Sequence, residues 1–452
     1  MSLDIDRESS PPVASIDELV SLLRRAERPR SDWKVGMEHE LVGMMGLEPV
    51  PFEGPRSIRE VLERFSRFGY EPYAEDGAIV AARRPGATLT LEPGGQFELS
   101  GRPFPCSHAS REEILHHAAQ MRAIGNELGI RWLTVGYRPF GTPADARWMP
   151  KARYGVMRAY LPSRGRHALD MMTMTATVQA NYDFASEEDM VRKVRAAMSV
   201  SPLVSAMFAN SFLVNGEDSG FASFRYEVWN HVDPDRCGLL PFVFDEDFGY
   251  RRWVEYALDV PMFFVRRQGR YLPAHHLTFR RYMAEGLDGN FATLGDFEDH
   301  LTTLFPEVRV KSVIEVRGAD VCDLEMSAAL PALWKGILYD DDALDAADRL
   351  LAGMRFADRV ALQRDVARQG LRATCGKGKV LDLARELYAI AAAGLKAQGC
   401  PHGDAPDERV VLQPLEVWLE EGRTPADHWR ERWHGDLGRS PEKLVEATAL
   451  GA

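Results

Sequence analysis

Four stretches of the chain alternate polar and apolar residues, and such alternation predicts β-strands with one polar and one apolar face. They cover residues 34–41, 88–101, 175–184 and 311–320. In the first, KVGMEHEL, Glu38 and Glu40 share one face and His39 falls on the other. Adjacent carboxylates repel each other unless a cation lies between them, so this face predicts a site for a hard divalent ion. An exposed acidic edge strand is the alternative.

The second stretch is bent by Pro93, Gly94 and Gly95, because proline and glycine favour turns. Glu92 and Glu98 flank this bend. We expect both carboxylates to point into one cleft, although a solvated polar face would have the same pattern.

The third and fourth stretches add amides and a guanidinium group. Gln179 and Asn181 share a polar face, and Glu315 and Arg317 share another. The Glu–Arg pair alone has an ordinary alternative, which is a structural ion pair on a strand. Taken together, the four strands form a carboxylate-rich surface with one guanidinium group. Such a surface is suited to hold more than one divalent ion against the phosphates of a nucleotide.

Helical spacing alternates with these strands and dominates the end of the chain. We expect a flexible tail over residues 1–14, a catalytic region over 15–340 and a helical region over 341–452 that packs on it. No repeat or low-complexity linker separates the last two regions.

Three local expectations follow from the helical segments. Ser110 and Glu113 have the spacing of a capping box, which predicts a helix that begins there. His117 lies on this helix next to another histidine, and we expect it to be partly exposed. Residues 187–199 and 203–212 predict two separate helices.

Composition narrows the class of protein. The chain has 452 residues and a formal net charge of −12, which argues against nucleic acid or an anionic membrane as a partner. The five cysteines are odd in number and widely spaced, which indicates reduced thiols. The first residues have no apolar signal-peptide core, and no apolar run is long enough to span a membrane. We therefore predict a cytoplasmic protein.

The motifs around these residues resemble those of the plant and proteobacterial class of glutamate–cysteine ligases. The matching segments are GMEHE, LEPGGQFELSG, MPKARY, LDMM, TVQAN, LPFVF, YALDVPM, HLTTLFPEVR and RGAD. They are spread over nearly the whole chain, and LEPGGQFELSG and HLTTLFPEVR are the most specific of them.

This resemblance implies the fold, the reaction and the ligands. The implied fold is α+β, with a curved antiparallel sheet of the glutamine-synthetase-like type that forms an active-site funnel, outer helices and a helical C-terminal layer. The implied reaction joins L-glutamate to L-cysteine with ATP, through a γ-glutamyl phosphate. It would use two or more Mg²⁺ ions, with Mn²⁺ as an alternative. We expect a monomer or a homodimer.

The resemblance also implies roles for individual residues. Arg317 and Glu315 are the expected catalytic residues. The expected metal ligands are Glu38, Glu40, Glu92, Glu98, Gln179, Asn181 and Glu315. The expected substrate contacts are Lys151, Arg153, Tyr154, Arg225 and Trp229, and the expected nucleotide contacts are Gln96, Asn181 and Arg317. For Arg225, structural stacking on Trp229 is the alternative.

The chain departs from the family pattern at two places. Met174 and Ala176 stand where plant members have arginine and cysteine, and residues 321–326 replace a glycine- and arginine-rich segment. If either place touches the amine acceptor, its pocket is more apolar than in plant members. Two alternatives therefore stay open, which are a related ligase with another amine acceptor and a non-catalytic homologue that binds a nucleotide or glutamate.

Overall fold

The computed structural model describes residues 11–451, and the predicted tail falls outside them except for its last four residues. Val13 donates its N–H to the Ala292 carbonyl at 2.8 Å, so this end of the predicted tail is bound to the body of the protein.

Strands and helices alternate along the first three quarters of the chain, and helices follow. The strands are β1 Val35–Met45, β2 Glu48–Pro49, β3 Glu71–Glu75, β4 Ala78–Arg84, β5 Ala87–Leu91, β6 Phe97–Ser100, β7 Arg131–Leu133, β8 Val178–Tyr182, β9 Leu213–Val214, β10 Glu217–Asp218, β11 Cys237–Gly238, β12 Phe264–Arg267, β13 Arg270–Pro273, β14 Phe305–Pro306, β15 Val308–Val310, β16 Ile314–Val316, β17 Thr374–Cys375 and β18 Gly378–Lys379. The helices are α1 Ile16–Arg24, α2 Ile58–Arg64, α3 Ser107–Leu128, α4 Ala152–Tyr160, α5 Ala168–Met174, α6 Glu187–Met207, α7 Phe224–Trp229, α8 Tyr250–Asp259, α9 Phe279–Glu285, α10 Leu294–Thr302, α11 Leu324–Leu338, α12 Asp341–Leu350, α13 Phe356–Gln369, α14 Val380–Gln398, α15 Gln413–Glu421, α16 Pro425–His434 and α17 Pro441–Thr448.

One antiparallel sheet organises the fold. Its strand order is β15-β16-β8-β1-β6-β5-β4-β3, and β2 and β7 pair with the far end of the long strand β1. The register places Glu40 opposite Glu98 and Glu38 opposite Gln179. The predicted α+β class with an antiparallel sheet is confirmed. Among residues 11–451, every helix is too short or too polar to cross a membrane.

The apolar face of the sheet is buried under helices. Val178, Tyr182 and Ile314 belong to the same hydrophobic cluster as residues of α6 and α11, and the Tyr182 hydroxyl donates to the Pro331 carbonyl at 2.9 Å. His39 lies on this face, where burial lowers its pKa to about 3. The opposite face of the sheet is therefore the one left for polar side chains.

Helix α3 corrects two expectations. It begins at Ser107 rather than Ser110, because the Glu113 carboxylate accepts the Arg102 N–H at 2.8 Å and is not available for a capping box. His117 is buried rather than partly exposed, with its ring 5.6 Å from that of Phe65. Its place between helix and sheet lowers its pKa to about 3, chiefly through burial.

Helix α6 corrects a third expectation, since residues 187–207 form one helix with Pro202 inside it. Proline removes one backbone hydrogen bond from a helix. The turns around Pro202 are fully enclosed by the core, and tertiary packing outweighs the local penalty.

The C-terminal helices share the hydrophobic core of the sheet. A single buried cluster contains Tyr182 from the sheet, Leu333 from α11 and Ala391 from α14. We therefore propose that residues 341–452 are a layer of the catalytic region, with no core of their own.

Helices α11 and α14 contact each other at Gly336 and Gly394, and a substitution tests this contact directly. A Cβ atom on Gly336 would collide with the Ala391 carbonyl oxygen. We expect Gly336→Ala to lower the free energy of unfolding by about 1–3 kcal/mol, or more, because the helices would have to separate. Chemical unfolding followed by circular dichroism measures the change.

Gly155→Ala is the matched control, since Gly155 is a helical glycine with no atom within 4 Å of the added Cβ. It should be neutral or stabilise by up to ~1 kcal/mol, as alanine favours a helix. An unchanged stability of Gly336→Ala would contradict the close helix crossing.

Candidate active site

The polar face of the sheet forms one wall of a cavity of about 440 Å³. Side chains of β1, β6, β8 and the segment after β16 lie on this wall, and α1, α4, α5, α7 and α10 contribute the others. The residues of the sequence prediction that line the cavity are Glu38, Glu40, Glu92, Gln96, Glu98, Arg153, Tyr154, Gln179, Arg225, Trp229 and Arg317.

Four glutamates make one end of this wall acidic, and we call Glu38, Glu40, Glu92 and Glu98 the acidic cluster. The Glu40 carboxylate accepts the Thr177 N–H at 3.1 Å. Glu98 accepts hydrogen bonds from two neighbouring hydroxyl groups, at 2.8 and 2.7 Å. These bonds orient the carboxylates but bring no positive charge.

Burial and neighbouring carboxylates raise the pKa values of two members of the acidic cluster, Glu40 and Glu92. Burial, followed by the charges of Glu92 and Glu98, raises the pKa of Glu40 well above its usual range. Burial and the Glu98 charge raise the pKa of Glu92 to about 7. A divalent cation would relieve this repulsion, and carboxylate oxygens are the ligands that Mg²⁺ and Ca²⁺ prefer. The donor set therefore fits a hard metal ion.

A basic cluster, formed by Arg309, Lys311 and Arg317, lies at the other end of the wall around Glu315. The Glu315 carboxylate accepts from Arg309 at 2.7 Å and from Lys311 at 2.7 Å, and it also contacts Arg317. Burial alone would raise the pKa of Glu315, but the three cations together hold it well below its usual range. One carboxylate neutralises one of three positive charges, so this end carries an excess of positive charge.

Strand β8 separates the two clusters with amide side chains. Gln179 accepts a hydrogen bond from Arg317 at 2.9 Å, and Asn181 donates to Glu38 at 3.1 Å. Each amide therefore holds a charged neighbour in place.

Three residues of the sequence prediction lie behind the cavity wall. Glu315 is fully buried by its cations, which leaves its predicted metal-ligand role without support. Asn181 reaches Glu38 rather than the cavity. Lys151 donates to the Leu91 carbonyl at 2.8 Å, a bond that joins the loop before α4 to the end of β5, and its predicted substrate contact stays a prediction.

Arg225 has features of both of its predicted roles, which are substrate contact and stacking on Trp229. Its guanidinium donates to the carbonyls of Arg317 and Gly318, each at 3.1 Å, and lies 5.8 Å from the Trp229 ring centroid. It lines the cavity while it holds the segment that carries Arg317. Direct contact between Arg225 and glutamate stays a prediction.

The bend after β5 carries the other predicted residues. Gln96 donates to the Thr175 carbonyl at 2.8 Å, and its own side-chain oxygen accepts the Gly94 N–H. Tyr154 donates its hydroxyl to the Leu91 carbonyl. These bonds fix the bend, and with it Glu92, against α4 and α5.

The sequence reasoning missed several cavity residues. Arg309 and Lys311 line the cavity, and Arg25 and Arg28 reach it from the end of α1. The sequence contained a signal for Arg309 and Lys311. They lie on β15 and in the turn after it, and the pairing of β15 with β16 brings them next to Glu315.

The places where the chain departs from the family pattern lie away from the cavity. Met174 is buried in a hydrophobic cluster with Tyr137, and Val321 is buried in another with Phe212. Neither lines the cavity among the described residues. The expectation that they make the acceptor pocket more apolar therefore has no structural support.

Two solved structures of other proteins have the same fold. One is glutamate–cysteine ligase from Francisella tularensis in complex with AMP, with a TM-score of 0.53 and 13% identity, over 93% of this chain and 90% of that one. Another is a bifunctional glutathione synthetase from Pasteurella multocida, with a TM-score of 0.52 and 11% identity, over 96% of this chain and 53% of that one. At these identities the likeness shows the fold alone.

Sequence relatives are closer. The chloroplastic glutamate–cysteine ligase B of Oryza sativa subsp. japonica is 38% identical over 436 residues, which are 95% of this chain and 86% of the relative. The chloroplastic glutamate–cysteine ligase of Arabidopsis thaliana is 38% identical over 95% of this chain and 82% of the relative. Both relatives are named as chloroplastic proteins, which contradicts the predicted cytoplasmic location.

The family assignment follows from the match along the whole sequence. The model of glutamate–cysteine ligase family 2 (GCS2) matches residues 34–445, which include the acidic cluster, strand β8 and the basic cluster. The resemblance seen in the motifs is confirmed, and the chain belongs to the glutamate–cysteine ligase family.

Proposed function

We propose that the protein joins the γ-carboxylate of L-glutamate to the amine of L-cysteine with ATP, and that it forms γ-glutamylcysteine, ADP and phosphate. The observation that carries this proposal is the separation of charge along one sheet face. A metal–nucleotide complex has a cation and an anion side by side, and the acidic and basic clusters offer the complementary pair. A basic excess near carboxylates suits phosphoryl transfer better than simple anion binding.

The metal ions of this proposal are two or more Mg²⁺, with Mn²⁺ as the alternative. Glu38, Glu40, Glu92 and Glu98 would hold them, since these carboxylates line the cavity and lack a bound cation among the described side chains. When bound, such ions neutralise charge on the phosphates and orient them. Gln179 and Asn181 keep their neighbours in position rather than serve as ligands.

The first step takes place between glutamate and ATP. An oxygen of the γ-carboxylate attacks the γ-phosphorus of ATP, the bond to the bridging oxygen breaks, and ADP leaves with that electron pair. Arg317 and Lys311 line the cavity and stabilise the negative charge of the transferring phosphoryl group. Arg225 positions Arg317 through the main chain.

The second step uses the acyl phosphate. The cysteine amine attacks the γ-carbonyl carbon, a C–N bond forms, the C–O bond to phosphate breaks, and the departing phosphate takes up the proton that the amine loses. The cavity lining also contains Met157, Met172 and Phe264. Sulfur and aromatic groups make favourable contacts with a thiol-sized apolar side chain, which supports cysteine as the acceptor.

A single chain contains every residue in this proposal. A monomer is therefore sufficient for activity, and a homodimer is compatible with it.

The test of the reaction measures ADP release with ATP, glutamate, Mg²⁺ and a set of amines. We expect the highest kcat/KM with L-cysteine, lower values with L-2-aminobutyrate, L-serine and glycine, and a γ-linked product by mass spectrometry. Small apolar differences between acceptors are worth about 1–3 kcal/mol, which corresponds to roughly 10–200-fold. A higher kcat/KM with another amine would support a related ligase, and no turnover with any amine would support a non-catalytic homologue.

The acidic cluster provides a second test. We expect Glu40→Gln and Glu92→Gln each to raise the Mg²⁺ concentration for half-maximal activity by about tenfold or more, because an amide replaces a charged ligand. Glu71→Gln is the matched control, since Glu71 is exposed on β3 of the same sheet. Equal Mg²⁺ midpoints in all three variants would exclude the acidic cluster as the metal site.

Metal binding should also depend on pH. Since the pKa of Glu92 is raised to about 7, the group is protonated below that pH and charged above it. Protons therefore compete with Mg²⁺, and we expect the apparent Mg²⁺ affinity to fall between about pH 8 and pH 6. Calorimetry in two buffers of different ionisation enthalpy would detect the protons released when Mg²⁺ binds.

A further inference from the structure

Two Cys-x-His pairs meet on the far side of α11 from the active site. Cys106 and His108 lie at the start of α3, and Cys400 and His402 follow the end of α14. The pairs are almost three hundred positions apart in sequence, yet the rings of His108 and His402 stack with centroids 5.0 Å apart. None of the four lines the active-site cavity.

A buried carboxylate, that of Glu408, lies close to the two cysteines. One donor atom from each of Cys106, Cys400 and Glu408 lies within 4.8 Å of the other two. Ligands of tetrahedral Zn²⁺ are about 3.8 Å apart when the Zn–S bond is about 2.3 Å, so the three need to close by at most about 1 Å. The donors are therefore nearly arranged for a metal ion before one binds.

A histidine in the first turn of α3 offers a further donor. The His108 side chain is 6% exposed, and its Nε2 atom has no hydrogen-bond partner among the described residues. A buried polar atom without a partner is costly, and an incoming ligand or ion would remove that cost. His402 differs, because its Nε2 already contacts the Glu112 carboxylate at 3.0 Å.

The surrounding charges suit a divalent ion. Glu408 is fully buried and contacts the Lys335 ammonium, while it also accepts the Ser107 N–H. When both thiols are neutral, the charges of Glu408 and Lys335 sum to zero. When two thiols lose their protons and one Zn²⁺ binds, the sum of all five groups is again zero, and the core gains no uncompensated charge.

We propose that Cys106, Cys400 and Glu408 bind one Zn²⁺ ion, and that the His108 side chain moves in as the fourth ligand of a closed, four-coordinate structural site. The donors are of the soft and borderline types that Zn²⁺ prefers over Mg²⁺. The ion joins the first turn of α3, which follows the β6 strand of the active site, to the C-terminal helices. Its binding exchanges two thiol protons for one metal ion.

The test titrates the full-length chain with Co²⁺ as a spectroscopic substitute for Zn²⁺, after chelation under reducing conditions. Thiolate ligands give a sulfur-to-cobalt charge-transfer band that the carboxylates of the active site do not give. We expect the band to saturate at one Co²⁺ per chain and to disappear when one equivalent of Zn²⁺ is added. No band, or a purified chain in which Cys106 and Cys400 form a disulfide, would overturn the proposal.

Matched variants locate the site. Cys106→Ser and Cys400→Ser should lose the band, while Cys375→Ser, which changes a cysteine in the distant β17–β18 hairpin, should retain it. His108→Gln should weaken Zn²⁺ binding about tenfold or more, and His402→Gln much less, because Nε2 of His108 has no other partner among the described residues, whereas Nε2 of His402 contacts Glu112. A band retained in both Cys106→Ser and Cys400→Ser would overturn the proposal, and equal affinities of the two histidine variants would overturn the role of His108.

A second measurement separates loss of metal binding from loss of folding. Zn²⁺ should raise the Tm of the native chain and of Cys375→Ser but leave the Tm of Cys400→Ser unchanged, since a ligand stabilises only the state that binds it. Each equivalent of Zn²⁺ should release two protons from the native chain at neutral pH. Zn²⁺ binding without proton release would overturn thiolate ligation.

Discussion

Repulsion among the buried glutamates of one sheet face is the constraint on which the rest of this structure depends. Glu40 and Glu98 are direct partners across β1 and β6, where like charges are unfavourable. The fold maintains them because the strands on both sides are paired, the opposite face is an apolar core, and neighbouring hydroxyl and amide groups hold the carboxylates of Glu38, Glu40 and Glu98. Such a surface has uncompensated negative charge and therefore attracts cations. In the proposed reaction, the metal–nucleotide complex would neutralise this charge only when the substrate is bound.

The basic cluster brings together charges of the opposite sign. Three cations around one carboxylate would repel one another without Glu315, and without them Glu315 would be a buried charge with no partner. Its role is therefore to assemble an anion-binding surface. Arg225 extends this arrangement from a third element, because it holds the carbonyls beside Arg317. In the proposed reaction, this charge separation would position a phosphoryl donor next to its acceptor.

Much of this arrangement was predictable from sequence alternation, because a β-strand divides its side chains between two faces by geometry alone. The separation of His39 from Glu38 and Glu40 follows from that rule. What a local pattern lacks is information on the partner behind each side chain. The partners of Lys151 and Asn181, which are the Leu91 carbonyl and Glu38, are distant in sequence and only the fold brings them together.

Helix boundaries were less predictable for a related reason. The start of α3 depends on Arg102, which takes the carboxylate of the expected capping box, and the continuity of α6 through Pro202 depends on a core built from distant segments. The pairing of Cys106 with Cys400 is the extreme case, since only the packing of α3 against the C-terminal helices brings them together.

The central claim is that the sheet face brings the γ-carboxylate of glutamate into attack on ATP, and isotope transfer tests it most directly. Glutamate labelled with ¹⁸O in the γ-carboxylate is turned over with ATP and cysteine, and the released phosphate is analysed by mass spectrometry. The account predicts one ¹⁸O atom in each phosphate, because the attacking oxygen leaves with it. Phosphate free of label, formed together with γ-glutamylcysteine, would contradict the account.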